Sequence, residues 1–451
     1  GAASGVLKAA QLYGREAYIV LEGVNPSIQR MMDMLKEDEK LMKRFVSPEQ
    51  ALNLIGKRSL AVVVDTHRAT MVAEPRLLQA TERIVIVDHH RRSEEFIDEA
   101  VLVYMEPYAS STCELVTELL QYIHERVVLD MREATALLAG ITVDQLRRYP
   151  PPTALGLRKS LAALHRVPVE NLVVTNGGDE LLRLLLATFV EPGESIAVAD
   201  PSYSLYEVLA AAHGAGLHRI PLEADWSLPK DFAAQLNRSG AKLCFVVNPH
   251  APSGALTPVA ELKRIAEEFK GVLVIDEAYV NFVDPELAHD CVPLIQSCDN
   301  VVILRTFSKG YSLAGLRMAY GIAAQNLIDP MQYKTKDSYN TDFIAQVLAR
   351  AAIEDQAYAA DTWARVRSER ARLQQELAQR GLSSPPSQSN FLLATVPAPR
   401  SAQALYEGLK QKGILVRHFR IPGIDDKLRI TIGTPEENDR LLAALDQLLA
   451  A

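Results

Sequence analysis

Long apolar runs are missing from this sequence, and no stretch reaches the roughly eighteen residues that a membrane helix needs. The pattern of a signal peptide is missing from its start, so a cytoplasmic location is expected. Cysteine is scarce. The four that occur, Cys113, Cys244, Cys291 and Cys298, are scattered without C-x-x-C spacing. Buried free thiols in a reducing compartment are the expectation. There is no long basic run, and the net charge is -8. That argues against a nucleic-acid polymer as the main partner, without excluding a local basic patch. Internal repeats and low-complexity segments are also lacking. The first residue is Gly1 rather than Met, so the natural start is expected to lie upstream.

What is present is soluble globular sequence: 451 residues, 48% apolar and 23% charged, a length that implies two or three domains. Apolar runs alternate with amphipathic stretches as far as about residue 330. They include Ser59–Asp65, Ile84–Asp88, Lys242–Val247, Val272–Asp276 and Val301–Leu304. Short apolar runs separated by helices predict parallel sheets covered on both faces. Two chemistries meet near Asp144–Gln145, where Ile141–Tyr149 contains no Gly/Ser/Pro-rich linker. A natural domain boundary is usually exposed and flexible, so a truncated or artificial join is expected there.

In the later stretch, Thr175-Asn-Gly-Gly-Asp-Glu180 is a glycine turn running into Leu181–Leu186. Free N–H groups and the dipole at such a helix start suit a phosphate, although many ordinary turns look the same. Asp276 closes an apolar strand, where a carboxylate is costly unless it meets a cation such as a protonated pyridine nitrogen. A helix N-cap is the alternative for that residue. Thr306-Phe-Ser-Lys309 follows another strand, with Arg317 eight residues beyond the lysine. A neutral lysine forms Schiff bases with carbonyl cofactors, and arginine grips phosphate in a fork. Taken singly, each would pass for solvated surface.

In combination, the order phosphate turn, Tyr203, Asn248, Asp276, Tyr279, Ser308-Lys309, Arg317, Arg429 resembles the fold-type-I aminotransferases. Asn248–Gly254, Asp276–Tyr279, Thr306–Arg317, Gly413–Phe419 and Leu428–Gly433 narrow the likeness to the histidinol-phosphate aminotransferase family. The resemblance implies pyridoxal 5'-phosphate, with Lys309 holding it covalently and moving the proton between substrate Cα and the cofactor carbon. It implies that Asp276 pairs with the pyridine nitrogen, keeping the ring an electron sink. Asn248 and Tyr279 would bond the ring hydroxylate, and Tyr203 would stack on the ring face. The backbone of Gly178 and Asp179, with Thr306, Ser308 and Arg317, would bind the cofactor phosphate. Tyr149 would reach a neighbouring subunit's phosphate, implying a homodimer. Arg429, assisted by Asn390, would clamp the substrate carboxylate, and Arg417 is a candidate second contact to a substrate phosphate. The family also carries an Asn-Glu-Asn-Pro stretch ahead of Arg-Tyr-Pro that lines the substrate pocket; other sequence stands in its place here.

In the first stretch, Asp65, Asp88-His-His90 and Asp144 all close apolar runs. Carboxylates and histidines at strand ends suit borderline divalent ions such as manganese, and strand-end capping is the alternative. The strings Val64–Arg68, Ile86–Arg92 and Tyr104–Thr112 resemble the DHH phosphoesterase domain of bacterial cyclic-di-AMP phosphodiesterases. That likeness implies that Asp65 bridges two metals, with His89 and Asp144 ligating one of them. The family's first metal motif would precede Gly1 and its substrate-binding domain is not found, so little or no hydrolysis is expected.

The fold expected is therefore α/β. Residues 1–144 form an incomplete DHH domain, 145–330 a large, mostly parallel-sheet cofactor domain, and 331–451 a connecting helix and small α+β domain. The leading activity is transamination of histidinol phosphate with 2-oxoglutarate or glutamate, in histidine biosynthesis. The competing readings are a manganese-dependent cyclic-dinucleotide phosphodiesterase, a non-catalytic hybrid and, within the aminotransferases, an aromatic amino-acid substrate.

Overall fold

The computed structural model describes residues 1–23, 32, 39–90, 92–93, 95–106, 109, 111–123 and 149–450. Contacts divide the chain into two compact units, Gly1–Tyr149 and Pro150–Ala451. The join expected at Asp144–Gln145 lies outside the described residues, as does the expected strand Ala139–Asp144.

The first unit pairs β1 (Ile19–Val20) with β2 (Phe45–Val46) and builds a parallel sheet of β3 (Ala61–Val64), β4 (Ile84–Asp88) and β5 (Leu102–Met105) in that order. Successive side chains of a strand point to opposite faces, and the central strand uses both. Val87 packs with Leu115, Val116 and Leu120 of the helix Thr112–Ile123. Ile84 and Ile86 pack with Val63 and Ile97 on the other side. Two-sided burial makes an unbroken apolar run the right sequence for this strand.

The second unit is built on seven strands. They are β6 (Leu172–Thr175), β7 (Ser195–Asp200), β8 (Gly216–Pro221), β9 (Leu243–Val247), β10 (Val272–Asp276), β11 (Val301–Thr306) and β12 (Ala319–Ala323). Their order is β6-β12-β11-β10-β9-β7-β8. All run parallel except β12, which is antiparallel to both of its neighbours. Leu273, Ile275, Val301 and Ile303 enter one core cluster, while Val274, Val302, Phe245 and Leu304 enter the other. The apolar runs expected at 242–247, 272–276 and 301–304 are thus strands covered on both faces. One reversed strand in seven accords with the mostly parallel sheet expected, and the connection explains why it is β12. Between Thr306 and Ala319 the chain forms only the single 3-10 turn Ala314–Leu316, with no helix to carry it back for a parallel crossover.

A smaller antiparallel sheet of β13 (Phe391–Thr395), β14 (Arg417–His418) and β15 (Lys427–Thr431), ordered β13-β15-β14, completes the unit. Leu392, Ala394, Leu428 and Ile430 bury one face against Leu373, Leu377, Leu405, Leu409 and Leu445 of three helices. Arg370, on the helix Gln356–Gln379, donates to the carbonyls of Phe282 (2.7 Å) and Ser389 (3.0 Å) and to Asp284 (2.6 Å). That fork ties the loop ahead of β13 to the loop that follows β10.

Candidate active site

The sheet topology decides which residues meet. Parallel strands β6, β7, β9, β10 and β11 all end at one edge, where ligands gather in open α/β sheets. Because β12 is reversed, its start lies at that same edge, with Ala319 opposite both Thr306 and Thr175. Arg317 is thereby brought to the glycine turn that follows β6.

That turn leads into the helix Gly178–Phe189, whose N-cap is Gly177 at φ +79°. A Cβ on Gly177 would lie 2.7 Å from Nη2 of Arg317, so any side chain there would push the guanidinium aside, and the positive φ itself favours glycine. Arg317 itself adopts φ +54° and donates to Asp179 Oδ2 at 3.2 Å. Thr306 Oγ1 lies 3.0 Å from Ser308 Oγ and accepts the Ser308 N–H at 3.1 Å. A helix N-terminus without a capping side chain, two hydroxyls and a guanidinium form a cradle suited to a phosphate.

At the centre of the edge Asp276 is buried. Its carboxylate accepts the Tyr206 hydroxyl at 2.7 Å and the Ala278 N–H at 3.1 Å. Burial pushes its pKa up to about 6 against those two hydrogen bonds. Tyr206 is a residue that sequence reasoning missed. It is fully enclosed, and its ring stacks on Phe245 with centroids 4.5 Å apart. Tyr203 stands edge-on to Tyr206 at 5.6 Å and is itself exposed. Lys309 Nζ lies 5.9 Å from the Tyr279 ring centroid. Desolvation, then Arg429 and Arg317, lower the Lys309 pKa, which favours the neutral amine that a carbonyl requires.

Asn248 is buried with its amide held at both ends by Thr257: Oδ1 accepts the Thr257 N–H at 2.8 Å, and Nδ2 donates to the Thr257 carbonyl at 3.1 Å. Nδ2 also lies 3.4 Å from His289 Nε2. A hydrogen bond from Asn248 to a ring hydroxylate therefore requires one of these contacts to be exchanged. Beneath the edge, Glu277 meets Arg305 Nε at 2.7 Å, and His289 and Cys291 complete a buried cluster. Burial pushes the Glu277 pKa up, yet Arg305 and His289 together bring it down to about 2. The cluster's one carboxylate is thus already balanced by a guanidinium.

Two arginines sit side by side on the small sheet, and Arg429 faces this edge. Arg417 and Arg429 are direct cross-strand partners, and each guanidinium lies 5.7 Å from the Phe419 ring. Arg429 also sits 5.0 Å from Phe391, which meets Tyr279 edge-on at 5.1 Å. The carbonyl of Asn390 accepts the Ile432 N–H at 2.9 Å, placing that residue beside Phe391. Tyr149, the last residue of the first unit, is 80% exposed.

In the first unit Asp65 follows β3 at φ +68°, accepts the Thr112 hydroxyl at 2.8 Å and lies 3.6 Å from His89 Nε2. His90 joins them in a group able to hold one metal ion; it was not among the expected ligands. Asp144 lies outside the described residues. Asp88 is not one of these three residues. It is enclosed between His67 Nδ1 (2.5 Å) and His90 Nδ1 (2.7 Å). Burial pushes the Asp88 pKa up, yet the hydrogen bonds to His67 and His90 together bring it below the ordinary value.

The sheet order, the phosphate cradle and the Lys309–Asp276 edge define a fold-type-I pyridoxal-phosphate aminotransferase. The chain belongs to the aminotransferase class I and II family, whose model matches residues 121–445. It is similar to histidinol-phosphate aminotransferase 1 of Trichormus variabilis, 42% identical over 316 residues that span 70% of this chain and 88% of that protein. The histidinol-phosphate aminotransferase of Synechocystis is also 42% identical, over 69% of this chain and 87% of its own length. The crystal structure of the Sinorhizobium meliloti histidinol-phosphate aminotransferase in complex with pyridoxal-5'-phosphate superposes with TM-score 0.64. It is 26% identical and covers 68% of this chain and 85% of that one. A second family, the N-terminal domain of the DHH family, matches residues 3–141.

Proposed function

We propose that this chain transfers an amino group from histidinol phosphate to 2-oxoglutarate, a step of histidine biosynthesis, with Lys309 as the catalytic residue. The observation that carries the substrate class is the pair Arg417–Arg429. Like charges directly opposite on a sheet destabilise it, and an anion bound between them removes that cost. Histidinol phosphate has no α-carboxylate, so its phosphate takes the place that the carboxylate of glutamate takes in the other half-reaction. A guanidinium fork suits both anions, and Asn390 assists.

The residues fit pyridoxal phosphate. Gly177 leaves space for Arg317, and buried Asp276 has a raised pKa that a cation would relieve. When bound, the cofactor supplies an electron sink for the substrate's Cα electrons. Gly178, Asp179, Thr306, Ser308 and Arg317 hold its phosphate, Asp276 faces the ring nitrogen, and Tyr203 covers the ring. Tyr279 and Asn248 face the ring hydroxylate, Asn248 after releasing one of its present contacts. The Lys309 amine moves the proton at Cα.

The working form is a homodimer in which the exposed Tyr149 reaches the partner's phosphate cradle. Its compartment is the cytoplasm, in keeping with four free, buried cysteines. The chain divides functionally at about residues 144 and 330. The first unit binds a manganese-class ion weakly through Asp65 and His89, with His90 in support.

The test is kcat/KM for histidinol phosphate, phenylalanine and tyrosine with 2-oxoglutarate as acceptor. A phosphate contact of this kind contributes about 1.5–3 kcal/mol, so histidinol phosphate should lead by roughly ten- to a hundred-fold. Preference for phenylalanine would overturn the substrate and leave the transaminase standing.

A further inference from the structure

His250 lies in the loop after β9, enclosed at 6% exposure. The hydrogens around it can be assigned from its partners alone. Its Nε2 sits 2.8 Å from the carbonyl oxygen of Pro201, which can only accept, so Nε2 carries the proton. Its Nδ1 sits 2.8 Å from Ser253 Oγ. Ser253 Oγ already accepts the Ala255 N–H at 3.2 Å, and its own hydrogen is free to reach Nδ1. A one-way chain results: Ala255 N–H to Ser253 Oγ–H to His250 Nδ1, then His250 Nε2–H to the Pro201 carbonyl. Burial keeps the ring neutral, with a pKa near 4, as this chain requires.

Both ends of the chain lead to the active-site edge. Pro201 opens the loop after β7 that carries Tyr203, and Tyr203 abuts Tyr206, which holds Asp276. The His250 loop begins at Asn248, whose backbone N–H bonds the Asp276 carbonyl at 2.8 Å. No backbone ladder links the end of β7 to the end of β9, since their pairing runs only from Ile196–Leu243 to Val198–Phe245. The imidazole spans the gap where the two strands diverge.

We propose that His250 is a positioning residue that fixes the Pro201–Tyr203 loop against the end of β9, and so sets the seat of the Tyr203 ring on the cofactor face. This rests on the reading of Tyr203 as the ring-stacking residue, and the experiment separates the two. In the holoenzyme, His250→Phe keeps a ring of similar size and removes both hydrogen bonds. His250→Gln retains one N–H donor and one acceptor. Tyr203→Ala removes the stacked ring itself.

The readouts are the visible circular dichroism of the bound cofactor and its dissociation constant. His250→Phe should shrink the dichroism and weaken cofactor binding about two- to tenfold. His250→Gln should recover much of both. Adding His250→Phe to Tyr203→Ala should cost little more than Tyr203→Ala alone. Should His250→Phe not fold, Ser253→Ala, which takes away the hydroxyl that holds Nδ1 and so loosens the ring's anchorage to the β9 loop, should shift the dichroism in the same direction. Unchanged dichroism and affinity in His250→Phe or, failing its folding, in Ser253→Ala, overturn the proposal, as does full additivity with Tyr203→Ala. A silent Tyr203→Ala would instead overturn the stacking role on which it rests.

Discussion

Two aspartates close central parallel strands, one in each unit, and the chain treats them in opposite ways. Asp88, at the end of β4, is enclosed between His67 and His90, and its pKa is lowered. Asp276, at the end of β10, has a tyrosine hydroxyl and a backbone N–H but, among the described residues, no cation within ion-pair distance, and its pKa rises to about 6. A buried carboxylate is costly unless a positive group meets it. Asp88 is completed by its own unit and orients a histidine of the candidate metal group. Asp276 is left short of positive charge, which a protonated pyridine nitrogen would supply. The difference separates a carboxylate balanced by histidines from one whose surroundings favour its neutral form and suit a cationic ligand.

The sharpest way to break this comparison is at the group that makes the second edge an active site. Replacing Lys309 by alanine removes the amine that desolvation, Arg429 and Arg317 bias toward its neutral form. Proton transfer by a placed side chain is worth about 10²–10⁴-fold, and the covalent hold on the cofactor is lost with it. Transamination should fall by roughly 10⁴-fold or more, together with the visible absorption of the covalently held cofactor. A variant that still turns over at the parent rate would remove Lys309 from the chemistry.

The next effect has opposite signs at the two strand ends. In cofactor-free protein Asp276 favours its protonated form. Its contribution to stability is full below the unfolded carboxylate value near pH 4 and is lost as pH rises through about 6. Asp276→Asn abolishes this titration. The difference in local stability between parent and variant, read by hydrogen exchange in β10, should therefore move by about 2 kcal/mol between pH 4 and pH 7, against the parent at the higher pH. Asp88 has a depressed pKa, so its contribution is present at neutral pH and lost on acidification. Asp88→Asn should weaken exchange protection in β4 at pH 7. Matching signs at the two sites would show that the two carboxylates are not differently provided for.

The sequence exposes these sites unevenly, for physical reasons. Unbroken runs such as Val272-Leu-Val-Ile-Asp276 announce a strand buried on both faces, whereas Lys309, Arg317 and the glycine turn are ordinary when read singly and become legible only through their order along the chain. Tyr206 reads as one more apolar position on the helix Leu205–His213, because its partner Asp276 is 70 residues away. His250 is visible as a residue, but the link to Pro201 depends on how two loops converge. The reversal of β12 depends on what the connection after β11 lacks, and only with that reversal does Arg317 reach Gly177. His90 stands in plain view beside His89, yet its place in the metal group follows from Asp88 turning its ring. Asn248 shows the converse: its type is legible, while its engagement by Thr257 and His289 is not.

The smallest expected effect concerns the first unit, where the comparison predicts almost nothing. Among the described residues, the candidate metal group there is Asp65, His89 and His90. Of these Asp65 already accepts a hydrogen bond from Thr112, and its side chain is 63% exposed. Phosphodiester cleavage by this kind of chemistry uses two ions about 3.5–4 Å apart, one to activate water and both to clamp the phosphate. Three ligands support one ion at most, held weakly by an exposed carboxylate. Incubating the purified chain with manganese and cyclic di-AMP should therefore leave the dinucleotide intact, and manganese should leave the transamination rate unchanged. Binding of the ion itself should be weak, and weaker still in His89→Ala. Robust manganese-dependent cleavage would mean that the first strand end, like the second, is a working site, and the contrast between the two units would collapse.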